Sequence, residues 1–206
     1  MTGFEPFASD TANSSWDVAR ALAARWEPAI EGARIETALL PVSFAKAPQV
    51  IDAAVARTGP SLILHLGLAG GTERVAIERV ALNLADARIP DNDGDQPIDR
   101  RLDGGPDARL ATIPVKAALS ACLEREFPAE ISLSAGTFVC NAVMYHSLSR
   151  ATAQKVGFIH LPRANEHAEG SPSLPLEVMV GAVHTIARTC MHHEGPDRRI
   201  VGGALD

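Results

Sequence analysis

The stretch Ser61-Leu-Ile-Leu-His-Leu66 limits the fold more than any other part of the chain. It is a continuous apolar run with turn residues on both sides, Thr58-Gly-Pro60 before it and Gly67, Gly70 and Gly71 after it. A strand with one wet face alternates polar and apolar residues, whereas an unbroken run reads as a strand covered on both faces, hence parallel and central. Lys155-Val-Gly-Phe-Ile-His160, ended by Leu161-Pro162, is a second short apolar strand. Helical patterns lie between the strands. Trp16, Ala19, Leu22, Ala23 and Trp26 keep helical spacing until Pro28, behind serine caps at Asn13-Ser-Ser. Further helices are predicted from about Phe44 to Arg57, from Pro114 through the stripe Val115, Ala118, Leu119, Cys122 and Leu123, and from Leu174 to His192. Arg34 to Val42 and Glu73 to Leu84 read as strands, and the Asp-, Gly- and Pro-rich segment from Asp86 to Asp107 as a long loop of the functional kind. Alternation of this sort predicts an α/β fold, a mostly parallel sheet with helices on both faces. With no repeat or linker to divide it, residues 1–206 are expected to form one domain.

Composition narrows the partners. A net charge of −6, with no basic cluster longer than Arg198-Arg199, argues against a binder of nucleic-acid phosphates. The chain opens Met1-Thr-Gly-Phe4 without a basic and apolar leader, and its most apolar run, Ser61 to Ala69, is too short to span a bilayer, so a cytoplasmic protein with no membrane partner is expected. Three cysteines, at 122, 140 and 190, lack CxxC spacing and predict reduced thiols, with neither a disulfide framework nor a metal site; no cofactor is expected. Cys122 and Cys190 fall on apolar helix stripes and are assigned to the core.

Cys140 is placed differently. Ala129 to Ser134 reads as a brief strand, Gly136 and Thr137 as turn and cap, and Asn141 to Ser149 as helix, which puts Cys140 in a first helical turn. Unpaired backbone N–H groups and the positive end of the helix dipole favour an anion there, and the thiolate is the nucleophilic form of cysteine. Thiol hydrolysis also needs an imidazole and an acceptor that fixes its tautomer. His160 at a strand end and Glu78 on the strand before the Asp-rich loop can supply them. Each also has a structural reading: Cys140 as core, His160 bonded to a backbone carbonyl, Glu78 paired with Arg79 or Arg74. Spacing alone does not choose.

Gly3-Phe-Glu-Pro-Phe7, Glu78-Arg-Val-Ala-Leu-Asn83, Asp86-Ala-Arg-Ile-Pro-Asp-Asn92, Ala135-Gly-Thr-Phe-Val-Cys-Asn141 and Gly157-Phe-Ile-His160, with Ser171-Pro-Ser-Leu174, resemble in order the signature segments of the pyrrolidone-carboxylate peptidases, or pyroglutamyl peptidases I, a family of cysteine peptidases. The resemblance implies an open αβα sandwich, commonly a homotetramer, that removes N-terminal pyroglutamyl residues from peptides through a thioester. It implies Cys140 as nucleophile, His160 as acid/base and Glu78 as its orienting carboxylate. Phe4, Phe7, Phe138, Val139 and Leu68 are implied around the lactam. The backbone N–H of Cys140 is expected to hold the oxyanion, with Arg88 as a second donor, and Asn83 reads as a buried supporting amide. A flat uncharged lactam asks for an apolar slot, which disfavours a substrate carrying an ammonium.

Three features depart from the family pattern. Only Met1 precedes Thr2 where members carry an apolar strand, so the first strand reads as truncated; Leu68 stands where Gln is usual; and Val42-Ser43 replaces a Pro-Thr pairing. These leave open a second function, a weak or inactive relative that binds a pyroglutamyl-like end. A nucleotide site is disfavoured, since neither GxxxxGK[ST] nor GxGxxG is present. The adjacent His192 and His193 do not share one ligand sphere on a helix.

Overall fold

In the computed structural model, which describes residues 1–8, 10–152, 154–168 and 170–203, the two apolar runs lie side by side at the middle of the sheet. The expected domain end at 206 falls outside the described residues. The strands are β1 (Thr2–Phe4), β2 (Ala38–Leu40), β3 (Leu62–Leu68), β4 (Val75–Glu78), β5 (Val80–Leu82), β6 (Ala108–Leu110), β7 (Ala129–Ser132), β8 (Lys155–Leu161), β9 (Arg163–Ala164) and β10 (Ser173–Leu174). The helices are α1 (Ser14–Arg25), α2 (Pro28–Glu31), α3 (Lys46–Thr58), α4 (Val115–Leu123), α5 (Val139–Arg150) and α6 (Leu176–His192). Six strands form the main sheet in the order β2-β1-β3-β8-β4-β7. Only the β4–β8 pairing is antiparallel, so β4 and β7 run against the other four strands. Two two-stranded sheets, β9 with β10 and β5 with β6, complete the strand pairing among the described residues.

Residues two apart share a face of a strand. Thr2 and Phe4, His65 and Gly67, Phe158 and His160, and Ala76 and Glu78 therefore line one face across β1, β3, β8 and β4. Helices α3 and α5 cover it; Ser147 of α5 reaches His65 Nε2 at 2.8 Å. Helices α1, α4 and α6 pack on the other face. There Gly3 lets α1 approach: a Cβ at Gly3 would stand 2.6 Å from the Ser15 carbonyl oxygen. The result is the expected αβα sandwich. Cys122 and Cys190 are fully buried, and burial pushes both thiols up to about 12.

Boundaries differ where local chemistry overrides pattern. The predicted strand from Glu73 to Leu84 divides at Arg79. Arg79 N–H still bonds the carbonyl of Ser132, the last residue of β7, but its own carbonyl accepts from Ala111 N–H, and Leu82 N–H goes to the Asn141 side chain. The chain leaves the main sheet there to pair β5 with β6. β2 keeps only Ala38–Leu40 of the expected Arg34–Val42, and α1 ends at Arg25, before Pro28 opens the short α2. β1 is three residues long and pairs with β2 and β3 on its two sides.

Candidate active site

Cys140 sits in the first turn of α5, beside the carboxyl ends of β3 and β8. Gly136, at φ 74, makes the turn after β7, and the Thr137 hydroxyl donates to the Asp86 carbonyl. Thr137 is thus a tie to the Asp-rich loop rather than the expected cap. The capping position is Phe138, which offers no side-chain acceptor, and the first helical bond is Ala142 N–H to Phe138 C=O. The N–H groups of Val139, Cys140 and Asn141 therefore stand ahead of the helix ladder, where such groups attract negative charge. Asn141, fully buried, fixes this end: its side chain accepts from Leu82 N–H and donates to the Leu82 and Leu84 carbonyls.

His160, near the end of β8, lies among the other two candidates. Its Nδ1 is 2.7 Å from Glu78 Oε1, and Cys140 is near enough to act on its pKa, the Cys140 sulfur standing beside Gly67, the register partner of His160 on β3. Glu78 is 1% exposed and His160 8%, while Cys140 is half-buried. Glu78 Oε2 has no hydrogen-bond partner among the described residues. Burial by itself disfavours the imidazolium, but the bonds and charges of Cys140 and Glu78 outweigh it and raise the His160 pKa to about 10. Arg74 pairs with Glu130 instead of Glu78. One short constellation thus joins α5, β8 and β4.

A narrow pocket beside Cys140 is lined by Phe4, Phe7, Asn13, Val42, Leu68, Phe138 and Val139. Phe138 is its wall, edge-on to Phe44 at 5.4 Å and 6.3 Å from Phe7. Sequence reasoning missed Asn13 and Val42 as lining residues. The serines were expected to cap α1, but the cap is Asn13 and both serines lie within the helix: its Oδ1 accepts from Ser15 N–H and the Ser15 hydroxyl, while Nδ2 donates to the Glu5 carbonyl. Arg88 is exposed in the Asp-rich loop and is not part of the lining. Asn83 is buried and holds that loop, accepting from Leu102 and Asp103 N–H and donating to Asp103 and Gly105. A larger cavity at the opposite end of the sheet, lined by residues including Met1, Ile35, Leu62 and Met191, contains none of the three candidates. Among the described residues there is no group of three or more His, Cys, Asp or Glu side chains able to hold a metal ion. None of their helices is long and apolar enough to cross a membrane.

A family model described as pyroglutamyl peptidase matches residues 1–193. The chain belongs to the pyroglutamyl peptidase family. The pyrrolidone-carboxylate peptidase of Clavibacter michiganensis subsp. michiganensis is 40% identical over 212 residues, covering 100% of this chain and 98% of that protein. That of Chromobacterium violaceum is 42% identical, covering 100% and 97%. Among solved structures, pyroglutamyl peptidase I from Bacillus amyloliquefaciens superposes with a TM-score of 0.91 at 36% identity, covering 97% of each chain. Pyrrolidone carboxyl peptidase from Thermococcus litoralis gives 0.85 at 32%, again covering 97% of each. The three-residue β1 and Leu68 are therefore features of a pyroglutamyl peptidase family member.

Proposed function

We propose that the protein is a cysteine exopeptidase that hydrolyses the amide bond after an N-terminal pyroglutamyl residue. The observation that carries this reading is His160 bonded to Glu78 and close to Cys140, beside an apolar pocket. The lactam ring enters between Phe7, Phe138 and Leu68, and the second N–H of the Asn13 amide donates to its carbonyl. The Cys140 thiolate attacks the scissile carbonyl carbon, while the Cys140 backbone N–H, ahead of the helix ladder, stabilises the developing oxyanion. Arg88 is assigned to the oxyanion as a second donor. His160, protonated and held by Glu78, gives its proton to the departing amine, leaving a thioester. The neutral imidazole then takes a proton from water, which attacks the thioester and releases pyroglutamate.

The pocket supports selection by charge. A free α-amine would have to lose its hydration among Phe, Val and Leu side chains, a cost the uncharged lactam avoids. The same reading takes residues 1–206 as one peptidase domain, in a cytoplasmic homotetramer that sedimentation tests.

A chromogenic pyroglutamyl amide tests the reaction. The purified protein is expected to release dye, and Cys140→Ser to stop release with the melting temperature unchanged. Binding of a pyroglutamyl peptide without turnover by the unsubstituted protein would instead favour a binding relative, and Leu68→Gln then tests whether that position is the cause.

A further inference from the structure

We propose that Phe158 is a positioning residue for the reacting pair, a buried ring that holds the His160 imidazole in line between Cys140 and Glu78. The inference rests on the peptidase reading above. Phe158 is fully buried and lies two residues before His160 on β8, so both side chains leave the same face. Its ring centroid is 4.7 Å from that of His160, tilted by 52°. Two other rings close on it, His65 at 6.1 Å and Phe4 at 6.4 Å. His65 is itself pinned, Nδ1 to the Thr2 hydroxyl and Nε2 to the Ser147 hydroxyl, each at 2.8 Å.

Gly67 makes this packing possible. It is the register partner of His160 on β3, and a Cβ there would stand 2.7 Å from two Phe158 ring carbons and 3.1 Å from Cys140 Sγ. One absent side chain thus opens a notch that the aromatic ring and the sulfur share. The ring touches the imidazole directly and adjoins the sulfur through that notch, so a change in its shape moves both reacting groups.

The ring also acts on charge. An aromatic group beside an imidazolium favours the cation over the neutral base. The titratable groups facing His160 among the described residues are Glu78 from β4, Cys140 from α5 and, beyond the Phe158 ring, His65 from β3. Burial holds His65 neutral, its pKa lowered to about 3, so it adds no repulsion. Phe158 separates the two histidines and leaves the charge with His160.

The test compares Phe158→Leu, Phe158→Met and Gly67→Ala with the unsubstituted protein. It uses turnover of a chromogenic pyroglutamyl amide and the pH profile of Cys140 alkylation by iodoacetamide, with the labelled cysteine located by mass spectrometry. Met fills most of the ring's volume without its aromatic face. Phe158→Met is expected to lower kcat about tenfold with KM within about twofold, to move the alkaline limit of turnover down by roughly half a pH unit, and to move the acid limb of the alkylation profile up by a similar amount, because a less stable imidazolium gives the thiolate less support. Gly67→Ala, which displaces the ring from the other side, is expected to shift the same profiles. If Phe158→Leu does not fold, the other two variants carry the test. A Phe158→Met protein that melts lower yet keeps both profiles and kcat would overturn the proposal, leaving the ring as packing alone. Absence of turnover in the unsubstituted protein would remove the peptidase reading, and the alkylation profile would still decide for or against Phe158.

Discussion

Glu78 Oε1 and His160 Nδ1 are 2.7 Å apart in space and 82 residues apart in the chain. The antiparallel pairing of β4 with β8, unlike every other pairing in the main sheet, brings them together: Ile77 stands opposite Ile159, so Glu78 falls beside Phe158 and reaches the histidine two residues on. Because Nδ1 faces a carboxylate, it carries the proton, and in the proposed reaction Nε2 is the nitrogen that exchanges protons with the sulfur.

Glu78→Gln keeps the volume but removes the charge and offers the imidazole an amide of ambiguous orientation. A fall in kcat of roughly 10²- to 10⁴-fold is expected, with little change in KM. The pH profile gives a second check. His160 has its pKa raised to about 10, so the imidazolium and the stability it contributes are complete below the unfolded value near 6.5 and lost as pH rises through about 10. Turnover is expected to decline in that alkaline range, and at lower pH in Glu78→Gln, when initial rates are followed from pH 7 to 11.

His65 predicts the opposite limb. Its pKa is lowered to about 3, mainly by burial, with smaller contributions from the charged amino terminus and His146. Below about pH 6.5 the unfolded chain takes up a proton there that the folded protein refuses until about pH 3. Stability is therefore expected to fall as pH drops through this window, by on the order of 5 kcal/mol at its acid end. Urea melts at pH 7, 5 and 4 measure the slope, and His65→Gln, which offers polar atoms to Thr2 and Ser147 without titrating, is expected to flatten it. An unchanged slope would mean that other groups govern acid unfolding.

Much of this was legible in the chain because the relevant signals are local. Unbroken apolar runs marked β3 and β8, and the strand–glycine–helix sequence around Gly136 put Cys140 in a first turn. Less legible were features set by distant partners. Nothing in Glu73 to Leu84 announces a break at Arg79, because the break is made by Asn141, 59 residues downstream of Leu82. Asn13-Ser-Ser reads as a helix start from sequence, and the place of Asn13 in the pocket wall follows only from the packing of α1 on β1. The antiparallel sense of β4 is likewise invisible to periodicity, which is the same for either strand direction.

Gly3 is expected to be among the least replaceable residues outside the site. A Cβ would meet the Ser15 carbonyl oxygen at 2.6 Å and the Trp16 Cα at 2.7 Å, both backbone atoms of α1 that cannot swing aside. Gly3→Ala must push α1 off β1, at a cost of about 3 kcal/mol. Thermal melts check this. Gly157→Ala is expected to be milder, since its nearest neighbour is the Cδ1 end of the Ile113 side chain, which can change rotamer.

Asn13 allows structure and recognition to be separated within one side chain. Its Oδ1 caps α1 through Ser15, its Nδ2 bonds the Glu5 carbonyl, and the residue lines the pocket beside Cys140 where the lactam is proposed to bind. Asn13→Ala removes both functions, and is expected to lower stability by about 1 kcal/mol and activity together. Asn13→Asp keeps an acceptor for Ser15 and places its negative charge at the helix N-terminus, where it is favourable. It loses every N–H, however, and presents a carboxylate to the ring carbonyl. Asn13→Asp is therefore expected to melt within a few degrees of the unsubstituted protein while kcat/KM for a pyroglutamyl amide drops by roughly 10²-fold, most of it in KM. Full activity in Asn13→Asp would assign the ring carbonyl to another donor and leave Asn13 as a cap alone.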